Sequence, residues 1–135
     1  MVSKFVRGHS PLCTFCILNR NPEDERETPL HLFFQCETVE PIIEFVFRHF
    51  LGPEYENMER KNFFGGFEFD NKHKNMALLT VNILFKKFIW ACKNGKILPT
   101  PESCLRYIIN KINSFFSFSF RFRREWEKSG INIAL

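Results

Sequence analysis

Four residues of this 135-residue chain have the types and the spacing to do chemistry together. Cys13 and Cys16 stand two residues apart, and the run Glu27-Thr-Pro-Leu-His31-Leu-Phe-Phe-Gln-Cys36 adds a histidine and a third cysteine downstream. The pattern is C-x2-C-x14-H-x4-C. Two thiolates from one tight turn, with a histidine and a cysteine from a following short helix, close a tetrahedron around zinc. Four protein ligands leave no open position for water, so the expected role of the metal is structural. His9 has the right type, but it sits in a basic, polar lead-in without a paired cysteine. Cys92 and Cys104 fall on apolar helical faces, where cysteine behaves as a small buried hydrophobe. A redox role for Cys13 and Cys16 lacks the surrounding βαβ pattern.

The elements that position these ligands are helical by pattern. A zinc knuckle is expected over about 13–36, within a unit 1–37 that includes the lead-in. A helical domain over 38–135 is expected to pack on it. The charged stretch between Cys16 and Thr28 has no apolar period and reads as a solvated excursion closed by the metal. Thr28 followed by Pro29 predicts a helix start, with His31 in its first turn. Ile42, Val46 and Phe50 predict a helix over about 38–51, ended by Gly52-Pro53. Residues 53–71 mix glycine, asparagine and acids with Phe63, Phe64, Phe67 and Phe69, which fits either an aromatic-anchored loop or two short strands. A long core helix is expected over about 73–94, because Asn75, Asn82, Lys86 and Lys93 share one direction and nearly everything else is apolar. Gly95 ends it, and Thr100-Pro101-Glu102 restarts a helix. Apolar positions from Leu105 to Trp126 continue that helix, in competition with the strict alternation Phe116-Ser-Phe-Ser-Phe-Arg-Phe122, which suits a strand. The fold class is therefore mostly α: a small CCHC knuckle followed by a bundle of three to four helices.

Charge divides unevenly along the chain. Residues 1–70 carry 7 basic and 12 acidic side chains, a balance of −5, while residues 71–135 carry 12 basic and 3 acidic ones, a balance of +9. Such a split points to an acidic partner for the second half, nucleic acid first. Lys86, Lys87, Lys93 and Lys96 gather along one helix end, and Arg121, Arg123 and Arg124 gather near the end of the last helix, interleaved with Phe122 and Trp126. Cations hold phosphate and aromatics stack on unpaired bases, although an aromatic at helical spacing is commonly core. With 18 phenylalanines, much of the core must be aromatic. Five cysteines, three of them in a metal-type pattern, with no signal peptide, indicate a reducing compartment, nucleus or cytoplasm. The most apolar stretch, Met76 to Cys92, is interrupted by Lys86 and Lys87, so no membrane span is expected. Enzyme signatures are missing: no phosphate-cradling glycine loop, no nucleophile with a base. Glu68, Asp70, Lys72 and Lys74 have the types of a magnesium nuclease but read as a solvated loop.

The string Cys13-Thr-Phe-Cys16, followed by Glu27-Thr-Pro-Leu-His31-Leu-Phe-Phe-Gln-Cys36, resembles the zinc-binding region at the C-terminal end of reverse transcriptases from non-LTR (LINE-class) retrotransposons. Ile89-Trp90-Ala-Cys-Lys93-Asn94 looks like the isoleucine-tryptophan pair of that family's helical tail. The resemblance implies that Cys13, Cys16, His31 and Cys36 hold zinc, and that the chain is a detached, non-polymerising accessory module binding element RNA or target DNA. The rival expectation, of a different class, is a protein-interaction or self-association module with a purely structural zinc, using a phenylalanine-rich surface around 63–69.

Overall fold

A computed structural model describes residues 13–18, 28 and 31–133. The lead-in, the excursion after Cys16, His9 and Pro29 lie outside the described residues. Helices occupy most of the rest, with no strand among the described residues. A one-turn helix α1 (Thr14–Leu18) and a π-type turn (His31–Gln35) come first. They are followed by α2 (Glu40–Leu51), a 3-10 turn (Gly52–Asn57), α3 (Arg60–Gly65), α4 (Lys72–Gly95), α5 (Pro101–Phe118) and α6 (Phe120–Glu127).

Local sequence explains most of the boundaries. Gly52 ends α2 with φ +61°, a conformation open to glycine at little cost. Asn71 caps α4 by accepting the His73 and Lys74 N–H groups at 2.9 and 3.2 Å. Its amide also donates to the Lys128 carbonyl at 3.0 Å, which ties the start of α4 to the end of α6. Thr100 caps α5 by accepting the Ser103 N–H at 3.2 Å, with Pro101 first in the helix. At the end of α4 the expected glycine is one residue early. Gly95 is still helical, and Lys96 takes the left-handed position, φ 54°, where its N–H reaches Lys93 O at 3.1 Å while Ile97 N–H reaches Cys92 O at 2.9 Å.

Residues 53–71 form no strands: a 3-10 turn and α3 take up the first part, and 66–71 is an irregular stretch anchored by Phe67 and Phe69. Glu59 and Asn62 make a reciprocal capping box that starts α3. Phe63 and Phe67 are buried, and their rings lie 4.8 and 6.1 Å from Phe47 of α2. Phe63 and Phe67, from the segment expected to offer a docking surface, therefore belong to the core, and Phe69 packs against it. The polar stripe of α4 receives the backbone of this segment. Asn75 and Phe69 exchange two hydrogen bonds at 2.7 and 2.8 Å. The Phe63 carbonyl accepts from Asn82 at 2.9 Å and from Lys86 at 3.1 Å. Because polar groups face inward here, apolar ones face out: Met76, Leu79, Ile83 and Trp90 are exposed. Although α4 has the length and composition to cross a membrane, its Leu78, Val81 and Ile89 are fully buried in the core.

The long final helix breaks at Ser119. This residue leaves helical geometry (φ −138°, ψ 103°), and its hydroxyl accepts the Phe122 N–H at 3.1 Å to cap α6. The break folds α6 back, so Phe122 meets Phe115 and Phe116 at 5.6 Å each, and Trp126 meets Phe116 at 6.1 Å. Phe118 and Phe120, on either side of the break, are left 87% and 73% exposed.

Candidate metal centre

Both ligand pairs are set by tight backbone geometry. Cys13 immediately precedes α1 and Cys16 lies within it, so two thiols separated by two residues come from a single turn. Thr28 starts the second half of the site as its sequence predicts: Oγ1 accepts the His31 N–H at 3.0 Å and its carbonyl accepts the Leu32 N–H at 2.8 Å. The next step differs from an α-helix. Five residues of α-helix would leave His31 and Cys36 about 140° apart around the axis. Here the Cys36 N–H closes on His31 O at 2.7 Å, an i to i+5 turn that is wider and brings the two side chains round to one side. The Cys36 carbonyl then accepts from Val39 and Glu40, each at 2.9 Å, which joins the last ligand to the first turn of α2.

The result is one compact cluster. The ligand atoms of Cys13, Cys16, His31 and Cys36 all lie within 4.8 Å of one another. Cys36 Sγ is 3.8 Å from Cys13 Sγ and 3.9 Å from Cys16 Sγ, and Cys16 Sγ is 3.5 Å from His31 Nε2. These sulfurs stand nearly twice as far apart as the ~2.05 Å of a disulfide bond. All four residues are buried, and Phe15, Leu32 and Val39 beside them are fully buried in the same cluster as the helices.

Electrostatics at the site favours thiolate formation unequally. The hydrogen bond from Cys13 lowers the pKa of Cys36, and backbone contacts from Thr38 and Val39 act in the same direction. That same hydrogen bond raises Cys13, and burial raises Cys16. Three negative sulfurs cannot sit this close without a cation, so metal binding must displace thiol protons. The cluster can therefore hold one metal ion with a complete set of protein ligands. Outside it, Cys104 is fully buried and Cys92 is packed half-buried against the core, and burial raises both thiols.

The basic residues singled out by sequence do not form one face. Lys86 turns inward to the Phe63 carbonyl, and burial lowers its pKa. Lys87 and Lys96 are exposed, while Lys93 is half-exposed with its ammonium 4.3 Å from the Trp90 ring centre. Arg121 and Arg123 are about 160° apart around α6 by helical periodicity. Arg123 lies 3.7 Å from Glu127, and Arg124 lies 5.7 Å from the ring centre of Phe120. Trp126 is buried and Phe122 is half-buried against the core, whereas Trp90, Phe115, Phe118 and Phe120 are exposed aromatics of this half. Sequence reading also missed Arg106 and Lys111. Both are exposed on α5, at positions outside the buried stripe of Leu105, Ile108, Ile109 and Ile112, and that periodicity is the signal that finds them. Glu68 and Asp70 are exposed, and Lys74 is drawn to Glu54. Compared with known proteins, the chain matches no family model, no curated protein and no solved structure.

Proposed function

We propose that the chain is a non-catalytic nucleic-acid-binding module stabilised by a structural Zn2+, of the kind implied by its resemblance to the C-terminal region of non-LTR reverse transcriptases. Zinc is favoured by the donor set and by its dimensions. A tetrahedral zinc with bonds of about 2.3 Å to sulfur and 2.0–2.1 Å to nitrogen has S···S edges of about 3.8 Å and S···N edges of about 3.5 Å. The cluster has S···S separations of 3.8 and 3.9 Å and an S···N separation of 3.5 Å.

The observation that carries the nucleic-acid reading is uncompensated charge. In the acidic half, Arg48 is paired with Glu44 and Glu56, and Arg60 with Glu40. In the basic half, Lys87, Lys96, Arg106, Lys111, Arg121 and Arg124 are exposed and make no ion pair with a carboxylate among the described residues. Such cations release condensed counterions when they meet phosphates, which makes binding steeply salt-dependent. The test is titration of the zinc-loaded chain with single-stranded RNA, single-stranded DNA and duplex DNA at several salt concentrations, beside a variant with Arg121, Arg123 and Arg124 replaced by alanine. Binding that weakens with salt, with a slope about 2 units shallower in the variant, supports the reading. No binding at low salt refutes it. A second reading, docking of a protein partner or of another copy, is favoured by the exposed stripe of Met76, Leu79, Ile83 and Trp90. An aromatic and aliphatic interface would respond little to salt.

A further inference from the structure

A cavity of about 410 Å³ lies between α4 and α6. Met76, Ala77 and Thr80 line it from α4, and Phe122 and Trp126 line it from α6. Its size is at the lower end of the roughly 300–1,000 Å³ range of small-molecule sites, which suits a single flat ring system with its sugar. Its apolar walls come from Met76, Ala77, Phe122 and Trp126, and polar groups come from His73, Thr80, Ser119, Arg121 and Glu125.

That charge is available for a reason found only in the folded chain. Arg121 and Glu125 both line the cavity and stand four residues apart on α6, the spacing of an intrahelical ion pair. Glu125 is engaged by other groups: one carboxylate oxygen lies 2.9 Å from Nδ1 of His73, which lines the same cavity, and the other lies 3.8 Å from Lys128 Nζ. Arg121 is left exposed without a carboxylate partner among the described residues. A guanidinium without a carboxylate partner, beside a cavity walled by Phe122 and Trp126, complements a ligand with an anion at one end and a flat body at the other. Phe118 and Phe120 are exposed on either side of Ser119, and the Arg124 guanidinium lies 5.7 Å from the ring centre of Phe120. Exposed rings interleaved with cations beside the cavity continue the same complementarity along a chain of bases and phosphates.

We infer that the α4–α6 cavity receives one unpaired base of a single strand, with the adjoining phosphate on Arg121. The inference rests on the nucleic-acid reading above and narrows it to single strands, since a base held in a duplex cannot enter. Charge complementarity selects this occupant: the cavity opens in the half of the chain that carries the surplus of +9, and its free group is a cation.

The test compares two probes with the same phosphates, an oligothymidine of about 20 nucleotides and an abasic strand of equal length, binding to the zinc-loaded full chain. The wild-type protein should prefer the base-bearing strand by about tenfold, the scale of one stacked base. Thr80→Trp fills the cavity without touching a charge, and should abolish that preference while leaving the salt slope on the abasic strand unchanged. Met76→Trp covers the cavity from a position already 62% exposed, and serves if Thr80→Trp does not fold. Arg121→Gln should weaken binding of both strands and make the slope shallower by about 0.7. Equal wild-type affinity for the two strands overturns the inference and leaves phosphate-driven binding standing, as does a folded, cavity-filled variant that keeps the preference. Failure of the wild type to bind either strand overturns both readings.

Discussion

Free zinc concentration should set the melting temperature of this protein, and Cys36→Ser should remove that dependence. The four candidate ligands come from two chain segments that meet only when the chain is folded, and all four are buried, so a metal bound there would be linked to folding. Cys36 is the vertex to remove because its sulfur adjoins both other sulfurs, at 3.8 and 3.9 Å. A ligand specific to the folded state adds about 2.7 kcal/mol at a hundredfold excess over its dissociation constant, and about 1.4 kcal/mol for each further decade. For 135 residues the unfolding entropy is about 0.28 kcal/mol/K. The melting temperature should therefore rise by about 10 °C at a hundredfold excess and by about 5 °C per further decade of free zinc. The assay is thermal unfolding followed by circular dichroism in a series of zinc buffers. Cys36→Ser leaves three ligands and a neutral hydroxyl, so its melting temperature should be flat across the same buffers. A flat wild-type response would refute the coupling of metal to fold, and a Cys36→Ser curve superimposed on the wild-type curve would refute Cys36 as a ligand.

Three further outcomes are expected. Zinc affinity should rise with pH, because the metal-bound state holds fewer protons: Cys13 and Cys16 are raised and must lose theirs, while Cys36 is already lowered. Competition with a chromophoric chelator between about pH 6 and 8 should give a slope near two protons per metal, and a pH-independent constant would contradict it. Phe47→Ala, which deletes the ring touching Phe63, Phe67 and Phe85, should cost about 3–5 kcal/mol in denaturant unfolding. The same variant should keep one bound metal, and a change below about 1 kcal/mol would show that the 63–69 segment is not packed there. Lys86→Met should leave the salt dependence of nucleic-acid binding unchanged, because that ammonium is held at the Phe63 carbonyl, whereas exposed Lys87→Ala should make it shallower by about 0.7.

Elements with local causes were legible in the chain. The ranges expected for α2 and α4 agree with Glu40–Leu51 and Lys72–Gly95 to within two residues, because apolar periodicity and the Gly52 signal act within a turn or two. Where two local signals competed, packing decided. The alternation from Phe116 to Phe122 is neither a strand nor an unbroken helix: Ser119 ends one helix and caps the next, and the rings of Phe122 and Trp126 close on Phe116. Residues 53–71 were ambiguous for a related reason. Their phenylalanines have no period of their own and are ordered by Phe47 and by the polar stripe of α4.

The sequence by itself determined the three-cysteine, one-histidine set that the fold brings together, the helical class and the excess of positive charge in the second half. Ligand type, periodicity and charge are properties of residues and of their spacing, and they survive any packing. Only the tertiary structure decided which cations remain available and which aromatics meet solvent. Lys86 points inward because a carbonyl from a segment some twenty residues earlier needs a donor, and Arg121 is left unpaired because His73 and Lys128 engage Glu125. Those partners lie on different elements, or compete for a single carboxylate, so no local pattern could assign them.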